Sequence, residues 1–300
     1  MLMNARNSLP HPLARAVHAL QRAHSPTDQY QALLETAEIL AITLSATAAA
    51  PLQRQCLGKI QNSGVELPEA LELRALSALR NTLLSNTGAT FGTWTNWLTA
   101  HIQPLATAQP ELVPGLSDAF QSQADNNGIL QDLKVLRDER NRASHGDKPR
   151  SMEEARLRVT EYSPHLERAL QKAQFLSDFP WLLIDFCAYR PRTETFDVVA
   201  QRVMGDHPDS EYQNFTWEDP VANDTFYALS PEGPCALSPF VASRLCPQCL
   251  RMELCYACRT DKESDSVILK SFDRGHEISA PELGEDIRAL PDCRRNGGTR

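Results

Sequence analysis

Two hydrophobic periodicities divide this chain near residue 178. Before that point, apolar residues recur at intervals of three and four, the spacing of amphipathic helices. Ser25 followed by Pro26 predicts the start of one such helix, and Pro51 predicts its end. The apolar face of this helix comprises Tyr30, Leu33, Leu34, Ala37, Ala41 and Leu44. A further helix is predicted to start near Pro68, and apolar patterns that include Phe91, Ile129 and Met152 predict three more.

The helix that starts at Ile129 ends in the sequence "LRDERNRASHG", residues 136–146. Gly146 suits the left-handed conformation that often follows the last turn of a helix. The next sequence, "SMEE", is a capping box that predicts a new helix from residue 151. Ser163 and Pro164 predict a break or kink within that last helix.

After residue 178 the apolar segments are short, rich in β-branched and aromatic residues, and separated by Pro, Gly, Asp and Asn. The predicted strands are "WLLIDFC", "TFDVVAQRV", "DTFYALS" and "SVILKSF". We therefore expect an α+β protein with a helical bundle at residues 1–177 and a small, mainly antiparallel β domain at 178–280. Each domain is expected to have its own core, and residues 281–300 are expected to form a flexible tail.

The composition, with 42% hydrophobic and 23% charged residues, is that of a soluble globular protein. No apolar segment is predicted to span a membrane, and the first residues lack the apolar region of a signal peptide. We therefore expect a cytoplasmic protein without a membrane partner. Residues 1–172 carry 17 basic and 17 acidic side chains, whereas residues 173–300 carry 13 basic and 21 acidic ones. The net charge of −8 therefore gives no support for general nucleic-acid binding.

Basic residues are nevertheless concentrated around one motif. No Lys or Arg lies between Arg80 and Lys134, and the segment 134–158 then supplies eight. Within it, Arg140 is followed by Asn141 and, five positions on, by His145. Histidine exchanges protons near neutral pH, and arginine stabilises the charge of a reacting phosphate. RNA supplies its own nucleophile, the 2′-hydroxyl, so these residue types suit metal-independent RNA cleavage.

In this context the helical half resembles the HEPN superfamily, whose signature is an arginine, a polar residue and then a histidine. The resemblance covers roughly residues 10–175, and "FGTWTNWLTA" looks like an earlier helix of a HEPN subgroup from bacterial defence and toxin proteins. It implies an endoribonuclease with Arg140, Asn141 and His145 as catalytic residues, acting in antiviral defence or as a toxin. The expected RNA-binding residues are Lys134, Arg137, Arg142 and Lys148.

A dimer is expected for a geometric reason. On an ideal helix Arg140 and His145 lie about 140° apart around the axis and about 7.5 Å apart along it. One helix therefore does not easily aim both side chains at one phosphate. Two copies related by a two-fold axis would bring the two residue types together, as the HEPN resemblance also implies.

Other interpretations remain open at this point. Arg140 could be a buried structural residue paired with Asp138, Glu139 or another acid, and His145 a cap favoured by the helix dipole. The protein would then be a non-catalytic dimerisation or adaptor subunit of a defence complex that binds a regulatory partner protein. A third interpretation is a zinc-dependent regulator that binds nucleic acid.

The last motif is a cysteine cluster in the β half. Cys246, Cys249, Cys255 and Cys258 form two C-x2-C pairs separated by five residues, a pattern suited to a structural zinc ion. The separation is shorter than is usual for two zinc knuckles, so one pair could recruit Cys235, His276 or Cys293 instead. Free thiols on a β-hairpin and redox chemistry are the alternatives.

Overall fold

The structure is a computed structural model that describes residues 2–62, 71–121, 128–207, 211–261 and 263–293. Its elements confirm the predicted α+β class. The helices are α1 Leu2–Ser8, α2 His11–Arg22, α3 Pro26–Asn62, α4 Leu71–Leu83, α5 Phe91–Trp97, α6 Gln103–Ala108, α7 Leu116–Phe120, α8 Ile129–Ser144, α9 Met152–Lys172 and α10 Leu283–Ala289. A π-helical turn, Leu98–Ile102, joins α5 to α6, and a 3-10 helix, Ala173–Asp178, follows α9.

Nine strands form two antiparallel sheets within the described residues. They are β1 Trp181–Arg190, β2 Thr195–Arg202, β3 Glu211–Trp217, β4 Phe226–Ser230, β5 Gly233–Ala236, β6 Val241–Leu245, β7 Met252–Thr260, β8 Val267–Ser271 and β9 Glu277–Ala280. The first sheet has the order β3-β2-β1-β4-β5, and the second has the order β6-β7-β8-β9. All neighbouring strands pair antiparallel, as the sequence pattern predicted.

Helix α3 is the central element of the fold. Ser25 Oγ accepts a hydrogen bond from the backbone N–H of Asp28 at 3.1 Å, which is the predicted N-cap. The helix contacts α2, α4, α5, α8 and α9 on the helical side, and β4 and β5 on the sheet side. Residues 26–56 form a helix long and apolar enough to cross a membrane, and 78% of its most apolar window is buried within the fold. Those apolar side chains therefore lie in the protein core.

Both prolines predicted to interrupt helices lie inside continuous ones. Helix α3 continues through Pro51 to Asn62, and α9 continues through Pro164 to Lys172. A proline removes one backbone hydrogen bond, but around Pro51 the side chains of Ala50 and Leu52 are fully buried. Packing of the helix from several sides therefore outweighs the local cost. The predicted helix start near Pro68 lies outside the described residues.

One core joins the helices to the second sheet. It contains α3 residues together with Trp181, Phe240, Leu269 and others from the strands. Trp181 is fully buried, and its Nε1–H donates to Thr47 Oγ1 of α3 at 3.1 Å. A smaller cluster, which includes Leu182 and Ile184, fills the other face of the first sheet. The structure thus differs from the expectation of separate cores, because α3 presents apolar side chains to both halves.

The segment 281–300, predicted as a flexible tail, contains helix α10. Its Leu283 and Ile287 are buried in the shared core. The backbone carbonyl of Arg288 and the carboxylate of Asp292 accept hydrogen bonds from Arg80 at 3.2 and 2.9 Å. The prediction was wrong for this helix, because these contacts join residues more than 200 positions apart. Residues 294–300 lie outside the described part of the chain.

The shared core predicts a single unfolding transition. Replacing Trp181 with alanine removes a fully buried indole between α3 and β1, and we expect a loss of about 3–5 kcal/mol of unfolding free energy. Circular dichroism and tryptophan fluorescence should report the same lowered midpoint. A Trp217→Ala variant, altered on the half-buried outer strand β3, should lose less. Two separate transitions in the Trp181→Ala protein would contradict a shared core.

Candidate functional site

The end of α8 presents the Arg–His motif at the surface. Its apolar face, which includes Leu133, Leu136 and Ala143, is buried. The backbone N–H of His145 donates to the carbonyl of Asn141 at 3.0 Å and closes the last turn. Gly146 then adopts φ +98°, a conformation that side chains disfavour, and the chain reverses there. The local sequence therefore accounts for the placement of His145 at the helix end.

Arg140 is a half-exposed residue with loose contacts. Its side chain is 39% exposed, and its Nε lies 3.7 Å from Glu38 Oε2 of α3. One guanidinium N–H reaches Ser144 Oγ at 3.5 Å. The side chains of Asn141 and His145 are exposed, and neither makes a hydrogen bond or ion pair with another described residue. These three side chains are therefore available to a ligand, but the structure shows no direct contact between Arg140 and His145.

Two cavities border Arg140. The first, of about 200 Å³, lies between α3, α8, Tyr256 and the turn from β8 to β9. The second, of about 370 Å³, lies between the start of α3 and the segment after α8, and it is also lined by Lys148. Arg140 is thus within reach of ligands on two sides.

The predicted RNA-binding residues have different surroundings. Lys134 is exposed, whereas Arg137 donates to Asn96 Oδ1 at 3.0 Å and pairs with the neighbouring Asp138. Arg142 pairs with Glu139 at 2.7 Å and with Asp147 at 3.5 Å.

Of these four basic residues, Lys148 shares a cavity with Arg140. Lys134 and Arg137 lie one to two turns earlier on the helix. They would extend a basic surface away from the motif.

A buried ion cluster lies beneath the motif, and sequence analysis did not identify it as a unit. The side chain of Glu139 is fully buried, and it accepts hydrogen bonds from Tyr30 Oη and from Arg158 Nη1 at 3.2 Å. Arg158 also contacts Asp147 at 2.7 and 3.0 Å and Glu154 at 2.6 Å. The cluster connects α3, α8, the turn after α8 and α9.

The cluster shifts the pKa of two of its members. Burial and the hydrogen bond to Glu139 raise the pKa of Tyr30 to about 12. Burial by itself would lower the pKa of Arg158, but hydrogen bonds to Tyr30, Asp147 and Glu154 outweigh it and raise that pKa. Both groups are therefore protonated at neutral pH and act as donors to the Glu139 carboxylate. The structural arginine of this region is Arg158, and Arg140 is not buried.

A second buried acid ties α8 to α9 further from the motif. Asp132 is fully buried and lies 2.7 Å from His165 Nδ1 and 2.6 Å from Arg168 Nη2. Both partners come from α9, and both are partly exposed. This cluster fixes the packing of the two helices at the opposite end of α8.

A group that could hold a metal ion lies in the second sheet. Its members are Cys246, Cys249, Glu253 and His276, whose ligand atoms all lie within 4.8 Å of one another. Cys246 Sγ is 3.3 Å from His276 Nδ1, and Cys249 Sγ is 2.8 Å from Glu253 Oε1. Glu253 Oε1 also lies 3.1 Å from His276 Nδ1. Two sulfurs, an imidazole nitrogen and a carboxylate oxygen form a donor set that suits a divalent metal ion.

The tight turn after β6 positions the two thiols. The N–H of Cys246 donates to the Arg251 carbonyl at 2.8 Å, and the N–H of Leu250 donates back to the Cys246 carbonyl at 2.8 Å. Burial by itself would raise the pKa of Cys246, but backbone N–H groups of Cys249 and Gln248 lower it. This favours the thiolate, which is the form that binds a metal ion.

The other two cysteines of the motif lie outside this group. Cys255 is fully buried on β7, and burial raises its pKa to about 12. The Cys258 thiol lies 3.9 Å from the carbonyl of Ala89, and burial raises its pKa as well. The two sulfurs of this pair are therefore not grouped with those of Cys246 and Cys249.

The sequence indicates Cys235, His276 and Cys293 as further possible ligands of a zinc ion. His276 joins the group, whereas Cys235 contacts Ser230 and the backbone of Cys293 contacts Ser77. Glu253 had not been considered, because a single glutamate near a cysteine pair has no diagnostic spacing. Its pairing with Arg244 across the β6–β7 hairpin brings it to the turn that holds the thiols.

The chain was compared with protein-family models, with curated proteins and with solved structures, and none of them matches it. The HEPN resemblance therefore depends on the residues of the motif and on the helical context.

The buried cluster predicts a stability effect that is separate from chemistry. A Glu139→Gln substitution removes the one fully buried carboxylate among the three that pair with Arg158, and we expect a loss of about 3–5 kcal/mol of unfolding free energy. Urea unfolding monitored by circular dichroism would measure it. The matched control is Glu153→Gln, where the carboxylate is 78% exposed and pairs with the exposed Arg156. That change should stay within about 0.5 kcal/mol of the wild type. Equal losses in both variants would contradict the structural role of Glu139.

Proposed function

We propose that the protein is a metal-independent endoribonuclease of the HEPN type, acting in bacterial antiviral defence or in a toxin system. The proposal depends on the exposure of Arg140 and on its position beside two cavities. It is a half-exposed arginine that borders two cavities, while Arg158 carries out the structural role beneath it. A cytoplasmic location would give the protein access to RNA.

The proposed reaction uses the 2′-hydroxyl of RNA as the nucleophile. His145 accepts the proton of this hydroxyl, the 2′-oxygen attacks phosphorus, and the bond to the 5′-oxygen breaks. A second histidine donates a proton to that leaving oxygen, which gives a 2′,3′-cyclic phosphate and a 5′-hydroxyl. Arg140 stabilises the negative charge on the phosphate oxygens, and Asn141 orients the phosphate or the imidazole.

A homodimer would supply the second histidine. Arg140 and His145 project from different sides of the end of α8, so a two-fold axis near that end would place the pair from one copy opposite the pair from the other. The basic side chains of Lys134, Arg137 and Lys148 would then frame a groove for the RNA strand.

We also propose that Cys246, Cys249, Glu253 and His276 bind one structural Zn²⁺ ion. Four protein ligands leave no open position for a substrate, so the ion would stabilise the fold and take no part in cleavage. The site would hold the turn after β6, strand β7 and the start of β9 together.

The nuclease proposal predicts that Arg140 and His145 are both required. Arg140→Ala and His145→Ala should each lower the cleavage rate by about 10²–10⁴-fold in buffer without divalent cations. Both side chains are exposed or half-exposed, so the thermal midpoints should stay close to that of the wild type. Mass spectrometry of the products should show cyclic phosphate ends. Cleavage that persists in the His145→Ala protein would contradict its role as proton acceptor.

A mixing experiment tests whether the site is shared. Arg140→Ala and His145→Ala chains, each strongly impaired alone, should recover a small part of the activity when combined. The heterodimer retains one Arg140 and one His145 across the interface and lacks only the second histidine, whose proton water can supply to the leaving oxygen. A dimer with no cleavage in any preparation would favour the adaptor interpretation instead.

The zinc proposal predicts about one zinc ion per chain in reduced, freshly purified protein, measured by elemental analysis. Cys246→Ser and His276→Ala should lose the ion and destabilise the second sheet. Cys258→Ser should retain it, because that sulfur lies outside the group. Loss of zinc in Cys258→Ser with retention in His276→Ala would instead support the four-cysteine site.

A further inference from the structure

The first cavity beside Arg140 is built by both halves of the protein. One wall comes from α3 and α8, and the other comes from six consecutive residues, 270–275, at the end of β8 and in the turn to β9. The next residue, His276, belongs to the possible metal group. A single short turn therefore lies between the candidate metal site and the candidate catalytic arginine.

This turn carries two cations to the cavity. Lys270 is half-buried at its rim, and Arg274 is 45% exposed, with its Nε 3.5 Å from Glu253 Oε1. Together with Arg140, they place three positive charges around a space of about 200 Å³. Three cations, two from this turn and one from α8, around one small space form a site suited to an anion with several oxygens.

The cavity also contains three carboxylates, each with its own partner. Glu38 faces Arg140, Asp273 lies 3.4 Å from Arg15, and Glu35 accepts a hydrogen bond from Gln31 at 2.8 Å. Of these carboxylates, only that of Glu38 pairs with one of the three cavity cations. Its distance of 3.7 Å is long for an ion pair. A phosphate can therefore compete with Glu38 for Arg140.

Backbone contacts hold the turn in place. Ser271 N–H donates to the His276 carbonyl at 2.9 Å, and Phe272 N–H donates to the Leu254 carbonyl at 3.0 Å. Gly275 N–H donates to the Ser271 carbonyl at 3.1 Å, with a φ of +67° that favours glycine. The positions of Lys270 and Arg274 are therefore set by the sheet that carries the metal group.

We propose that this cavity binds a phosphodiester of the RNA strand next to the one that is cleaved, with Lys270 and Arg274 as positioning residues. This inference rests on the proposed ribonuclease function and adds the contribution of the β half to it. The sheet domain is then a part of the RNA-binding site, and its two cations hold the strand in register with Arg140 and His145.

Binding of a non-cleavable RNA tests the proposal without any need for activity. The probe is a single-stranded oligonucleotide with 2′-O-methyl groups, and fluorescence anisotropy gives Kd over a range of salt concentrations. Lys270→Gln and Arg274→Gln should each weaken binding by about tenfold. Each should also reduce the slope of log Kd against log salt by about 0.7, the value for one phosphate contact on a single strand.

Three further variants serve as controls. Arg192→Gln removes an exposed positive charge from the turn between β1 and β2 and should leave Kd and slope unchanged. Arg274→Lys keeps the charge and should retain most of the affinity, even if Arg274→Gln loosens the turn through its lost contact with Glu253. Glu38→Gln should strengthen binding, because it removes the competitor for Arg140.

The outcomes separate this proposal from the nuclease proposal. Cleavage that depends on Arg140 and His145, with unchanged binding in Lys270→Gln and Arg274→Gln, would overturn the cavity assignment and leave the nuclease proposal intact. RNA binding that depends on Lys270, Arg274 and Arg140 without any cleavage would support the cavity and refute the nuclease. Absence of RNA binding to the full chain would overturn the cavity assignment as well.

Discussion

The carboxylate of Glu139 is buried against Tyr30, Arg142 and Arg158, and the geometry of the candidate site depends on this cluster. A buried carboxylate is stable only when it is paired and hydrogen-bonded. Separation of the three partners from it would therefore cost much unfolding free energy. The cluster holds the end of α8 against α3 and α9 and holds the turn at Asp147. Arg140 and His145 therefore project from a rigid helix end. Their own side chains are not needed for its stability.

Three cations that line the first cavity, Arg140, Lys270 and Arg274, lie outside the buried cluster. Arg158 pairs with Glu139 in the buried cluster, which leaves Arg140 with two long contacts, to Glu38 Oε2 at 3.7 Å and to Ser144 Oγ at 3.5 Å. The neighbouring turn from β8 to β9 brings Lys270 and Arg274 to the same space. A chain with a net charge of −8 can thus place three cations beside one cavity, because charge acts over short distances in salt solution.

The shared core explains how two halves of different secondary structure contribute to one site. Helix α3 is buried from several sides, and Trp181 fixes the start of β1 to its centre. The second sheet shares the core cluster with α3, and its strand β7 contacts α4, so the cavity wall contributed by the sheet has a defined position relative to the helices. His276 follows directly after the cavity-lining turn from β8 to β9, and it groups with Cys246, Cys249 and Glu253. A metal ion there would connect the thiol turn to the cavity wall.

The sequence by itself determined the α+β class, the change from helix to strand near residue 178, and the cap that starts α3, because each depends on neighbouring residues. It also placed Arg140 and His145 at the end of a helix, and it left open whether Arg140 is buried. Only the tertiary structure decided that Pro51 lies inside a helix and that Glu253 and His276 lie beside Cys246. It also decided that residues of the second sheet line the cavity next to Arg140. These features depend on contacts between residues far apart in the chain, which no local spacing encodes.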